Sequence, residues 1–189
     1  MKRHCVSELP EGYELREEID LQKDRKKAIL VNGTAVALMV LMLVPALLLV
    51  PVRNLTGGVF LVKMSVLIAG YVLYIIAHEA THGAVMKLFG AQKLRFGFTG
   101  LYAYAGSEQD YFDRTSYICI SLAPLVVWGI VFTILCIAAP VSWFWVFYFL
   151  QIGNVSGAAG DLYVFLKTLR CPRGLLVRDT GVNMNMYWK

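Results

Sequence analysis

Tyr74-Ile75-Ile76-Ala77-His78-Glu79-Ala80-Thr81-His82-Gly83 is a His-Glu-x-x-His stretch set in an apolar run. Apart from Glu79, nothing between Lys63 and Lys87 carries a full charge. A run of that kind reads as a membrane-spanning helix, and this reading decides the fold class. Residues four apart share a helix face, so His78 and His82 can present two imidazoles to one metal ion. Glu79 stands one position round the helix, where it can reach a water at the metal without being a ligand, as the base of a zinc hydrolase does. A short motif also arises by chance. Against chance, the chain has only three histidines, and two of them lie beside a Glu where ionisable groups are costly and tend to be functional.

The composition agrees with a membrane location. The 189 residues are 58% hydrophobic and only 16% charged, whereas a soluble domain is about one quarter charged. The net charge of +5 does not indicate a nucleic-acid partner, because the basic residues flank apolar segments and form no stripe on a folded face. Residues 1–27 are polar, with seven acidic and seven basic side chains, and do not read as a cleavable signal. Cys5, Cys119, Cys136 and Cys171 show no Cys-x-x-Cys spacing and are expected to be free thiols.

Four apolar segments are expected to cross the bilayer. Ala28 to Val52 has no charge over 25 residues, enough for about 30 Å of hydrocarbon. Val59 to Phe89 is the second, with Lys63 near enough to its start to extend outward. The third runs from Thr115 to Ala139 and contains Pro124. The fourth runs from Trp143 to Leu166. Between the second and third, Leu94, Phe96 and Phe98 alternate with smaller or polar residues, and Leu101 to Ala105 follows a Thr99-Gly100 break. This predicts a β-hairpin at residues 93–105, with Phe96, Phe98, Tyr102 and Tyr104 either meeting an extended substrate or anchoring in the interface. The expected fold is therefore an all-α membrane protein of four transmembrane helices with a hairpin loop. It divides into a polar lead (1–27), a membrane-embedded domain (28–168) and a basic tail (169–189). The clusters at Lys23 to Lys27, Lys87 to Arg114 and Lys167 to Arg178 put both termini and the hairpin in the cytoplasm.

Two histidines need a third protein ligand, and the other histidine, His4, lies in the polar lead. Asp161 is the one acidic residue of the fourth segment. Measured from Lys87 and Lys167, His82, His78 and Asp161 lie about 8, 14 and 9 Å below one membrane edge, so they can meet at one depth. Glu108, Asp110 and Asp113 are rivals, but they sit in a polar loop expected at the surface. Asp161 paired with Lys167 or Arg170 is the plainer alternative. Asn154, Gly157 and Asp161 share a face, and Gly153, Ser156 and Gly160 form a neighbouring stripe of small residues that lets another helix approach. Asn154 serves either a substrate carbonyl, a group behind the ligands, or a buried interhelical hydrogen bond.

His78-Glu79-Ala80-Thr81-His82-Gly83, the strand-like loop and the late helix with Asn154 and Gly160-Asp161 resemble the site-2-protease-like intramembrane metallopeptidases. The resemblance is closest to a group of short bacterial membrane proteins classed as zincin peptidases, and it extends to the Leu9-Pro10-Glu11-Gly12-Tyr13 opening. In the site-2 proteases Asp precedes Gly, whereas here Gly160 precedes Asp161. The likeness implies a bacterial plasma membrane, a Zn2+ cofactor and hydrolysis of peptide bonds in a peptide or transmembrane-protein substrate. The alternative class is a non-catalytic membrane protein whose metal site is structural or sensory.

Overall fold

The computed structural model describes residues 5–56, 59–100 and 102–189. His4, Gly57, Gly58 and Leu101 lie outside them. Two strands come first, β1 (Cys5–Val6) and β2 (Glu14–Ile19), followed by the helices α1 (Arg25–Leu49) and α2 (Phe60–Leu88). Strands β3 (Arg95–Phe98), β4 (Ala103–Gly106) and β5 (Tyr111–Asp113) precede α3 (Arg114–Ala138). The chain closes with α4 (Phe144–Gly157), α5 (Ala159–Arg170), β6 (Leu176–Asp179) and β7 (Met184–Trp188).

Side-chain caps set the helix starts. Asp24 Oδ1 accepts the backbone N–H groups of Lys26 and Lys27 at 3.0 and 3.1 Å and opens α1. Asp113 Oδ1 does the same for Ser116 at 2.8 Å and opens α3. Each cap satisfies a donor that the first helical turn leaves without a partner. Helices α1, α2 and α3 are long and apolar enough to cross a membrane. Their large apolar side chains stay exposed, with Leu41 at 70%, Leu61 at 78% and Ile137 at 80%. An apolar surface of that extent suits lipid and not water.

The all-α expectation is wrong. Five strands form an antiparallel sheet in the order β1-β5-β6-β7-β2, and β3 and β4 form a separate hairpin. The polar lead and the basic tail both enter the five-stranded sheet, with Glu14 opposite Trp188 and Ile19 opposite Met184. β2 was hard to read because it is an edge strand carrying Glu14, Arg16, Glu17 and Glu18, charges that keep an edge from pairing with another chain. Its partner is far away in sequence, and no local pattern reports such pairing. The hairpin alternation does form strands, with Arg95 opposite Gly106 and Phe98 opposite Ala103.

Two further expectations need correction. The fourth apolar segment is two helices, because the chain breaks at Ala158. Gly157 and Gly160 flank this break, and glycine weakens helix propagation. Lys63 does not extend outward; it is 2% exposed.

The chain comprises two compact units. The first takes in Met1–Ile29, Glu79–Ala123 and Asp161–Lys189, the second Leu30–His78 and Pro124–Gly160. The core of the first includes Met86, Phe112, Tyr117, Ile120, Val164, Val177 and Met186. The core of the second is built on Tyr74, Phe132 and Leu150. In the first unit, Gly106 of β4 lies against the backbone of Thr180 and Gly181, so tightly that an added Cβ would strike main-chain atoms. A backbone cannot swing aside as a side chain can. Gly106→Ala should therefore cost about 1–3 kcal/mol, read as a lower midpoint in denaturant unfolding. In the second unit, Gly153 of α4 leaves room for the ring of Tyr71 on α2, the close approach expected of the small-residue stripe.

Candidate metal centre

The His-Glu-x-x-His stretch occupies the C-terminal third of α2, whose regular turns place His78 and His82 on one face. Each imidazole is held from behind. His82 Nδ1 lies 3.0 Å from the carbonyl oxygen of Ile120 on α3. A carbonyl only accepts, so Nδ1 donates, and Nε2 is the nitrogen that would serve a metal. That Nε2 lies 3.4 Å from Asp161 Oδ1.

His78 is held by a longer relay. Asn154 Nδ2 donates to the carbonyl of Leu125 at 3.1 Å. This orients the amide so that its Oδ1 accepts from the Tyr74 hydroxyl at 3.0 Å. Having donated its one proton there, the Tyr74 oxygen accepts from His78 Nδ1 at 3.0 Å. His78 Nε2 is then the nitrogen that would serve a metal as well. Metal-ligating histidines commonly donate their second nitrogen in this way, which fixes tautomer and ring plane.

Asp161 reaches the group from the first turn of α5. The break at Ala158 starts a new helix there, and a helix N-terminus favours a carboxylate. His78, His82 and Asp161 offer ligand atoms that all lie within 4.8 Å of one another. The fit to zinc can be judged from the His82 to Asp161 separation of 3.4 Å. Two ligands at about 2.0–2.1 Å from a tetrahedral zinc stand ~3.4 Å apart. Two imidazoles and a carboxylate are also a donor set zinc accepts, with one position left over. Outside the metal group, burial, followed by the neighbouring Asp110, pushes the Cys5 thiol up to about 12, and burial raises Cys171 too.

The other candidates are placed as follows. Glu79 is half-buried beside His78 on α2. Lys167 pairs with Glu17 at 2.6 Å. Of the loop acids, Glu108 pairs with Arg95, and Asp113 is the cap of α3. Asp110 is buried rather than at the surface, accepting from Gln92 N at 2.8 Å and Ser107 Oγ at 2.5 Å. Asn154 is fully buried, its amide engaged at both ends. In the hairpin, the Phe96 ring covers Gly83, the residue after His82. Phe98 is 70% exposed, Tyr102 accepts from Gln22 Nε2 at 3.2 Å, and the Tyr104 ring covers Gly97. Tyr74 was not singled out from the sequence, although it lies four residues before His78 on the same face.

A family model described as "Putative zincin peptidase" matches residues 71–176, more than half of the chain. The chain belongs to the zincin peptidase family of that description. The matched stretch runs from just before Tyr74 to the start of β6 and so includes all three histidine and aspartate ligand candidates. No curated protein and no solved structure matches the chain. Membership implies metallopeptidase chemistry and zinc, and the His78, His82 and Asp161 group is able to hold that metal.

Proposed function

We propose that this zincin peptidase is an intramembrane enzyme, hydrolysing peptide bonds of membrane or membrane-associated substrates near the cytoplasmic face. The observation that carries the reading is the pair of Nδ1-anchored histidines with Asp161 beside His82 Nε2, inside a segment apolar enough to span a bilayer. Zinc, when bound, supplies a Lewis acid that polarises the scissile carbonyl and acidifies a water. Glu79 accepts a proton from the attacking water and delivers it to the departing amine. A site that served only to join segments would have no use for such a base. The relays through Tyr74 and Asn154 and through Ile120 hold the ligands still, so that little reorganisation is needed during reaction.

The topology is supported by strand pairing. β2 precedes α1 and pairs with β7, which follows α5, a pairing that favours an arrangement with β2 and β7 on one side of the bilayer. Helices α1, α2 and α3 are long and apolar enough for three crossings, and that arrangement needs an even number. In this reading α4 with α5, broken at Ala158, supplies the fourth. The basic residues on the side of the termini make that side cytoplasmic. The hairpin is the candidate substrate strand acceptor. β3 has one strand partner, β4, among the described residues, and Phe96 sets it against the turn of α2 that follows His82. An extended substrate laid along β3 would expose peptide bonds that a helix conceals.

The test is chelation. Purified protein stripped of zinc should keep its helical signal, lose cleavage of transmembrane peptides, and regain it when zinc returns. Unfolding on chelation, with no cleavage in either state, would instead indicate a non-catalytic structural metal.

A further inference from the structure

Pro124 lies inside the continuous helix α3. In a regular helix the N–H of residue 124 would bond to the carbonyl of residue 120. Proline has no N–H, and its ring pushes that carbonyl away from the helix axis. The carbonyl concerned is that of Ile120, and it accepts His82 Nδ1–H at 3.0 Å. We propose that Pro124 is a positioning residue for the metal centre: it releases the Ile120 carbonyl from the α3 ladder so that this oxygen can fix the tautomer and ring plane of His82. The inference rests on the metal reading above and adds a cause for the geometry. A proline within a helix is costly, and here the freed acceptor is taken up by the candidate ligand His82.

The proposal separates the missing N–H from the ring. Pro124→Ala restores an N–H that competes for the Ile120 oxygen, and zinc affinity, measured by chelator competition on the full chain in detergent, should fall about tenfold. Placing the α-hydroxy-acid counterpart of alanine at position 124 removes both ring and N–H. It should bind zinc within about twofold of the parent, the scale on which the Ile120 carbonyl is again free. Nitrogen NMR of the metal-free protein gives a readout that needs no zinc: the His82 Nδ1–H resonance should keep its hydrogen-bonded position in the hydroxy-acid form and move in Pro124→Ala, where the bond to the Ile120 carbonyl is weakened. Pro45→Ala, the proline of α1, should change neither. Equal affinities and equal histidine spectra across the series would overturn the proposal while leaving the metal centre intact, and so would equal weakening by both Pro124 replacements. A parent that binds no zinc would sink the metal reading, and this inference with it.

Discussion

Glu79→Gln should leave zinc bound and remove peptide cleavage. Gln is nearly the same size as Glu, so the helix and the two flanking histidines keep their places. What the amide cannot do is accept the proton of the attacking water. Loss of a positioned general base costs about 10²- to 10⁴-fold, which in a slow proteolysis assay amounts to no detectable product. Zinc content should remain that of the parent, since Glu79 is not in the ligand group. Two assays on one preparation decide the point: metal per chain by mass spectrometry, and product by chromatography. Parent-like turnover in Glu79→Gln would remove Glu79 from the mechanism.

Asp161→Ala should do the opposite and empty the site. Its carboxylate lies 3.4 Å from His82 Nε2, and without it two imidazoles are left to hold the ion. Removing one of three protein ligands should weaken binding more than the 10- to 100-fold typical of losing a group behind a ligand. Glu108→Ala is the fair control, because Glu108 is an exposed acid paired with Arg95. Asp110 and Asp113 are poor controls, since one is buried in a hydrogen-bond network and the other caps α3. Zinc retained in Asp161→Ala and lost in Glu108→Ala would move the third ligand to the loop. The depth argument from Lys87 and Lys167 would fall with it.

The grouping of His78, His82 and Asp161 was legible because most of its information is local. The spacing of His78, Glu79 and His82 is a property of one helix turn, and Asp161 stood out as an acid in an apolar segment. The groups behind the ligands were less visible. Tyr74 looks like any aromatic in a membrane helix until its hydroxyl is seen between His78 and Asn154. Pro124 reads as a kink until the freed carbonyl is followed to His82. The five-stranded sheet was missed for another reason. β1, β5 and β6 are two to four residues long, too short for an alternation to register, and β2 is mostly charged and exposed. Their stability comes from partners far along the chain, as when Phe112 meets Val177 in the core of the first unit. The break at Ala158 was hidden by continuous hydropathy across α4 and the start of α5, where only the flanking glycines hinted at it.

The central claim is hydrolysis of a peptide bond at a zinc centre, and isotope incorporation tests it most directly. Zinc-loaded protein would be incubated with transmembrane peptides in water enriched in ¹⁸O, and the products weighed by mass spectrometry. The account predicts new carboxyl termini carrying ¹⁸O, formed with zinc-loaded protein and absent with the metal-free chain. Protein holding one zinc per chain that yields no new terminus from any peptide, membrane-spanning or soluble, would contradict it.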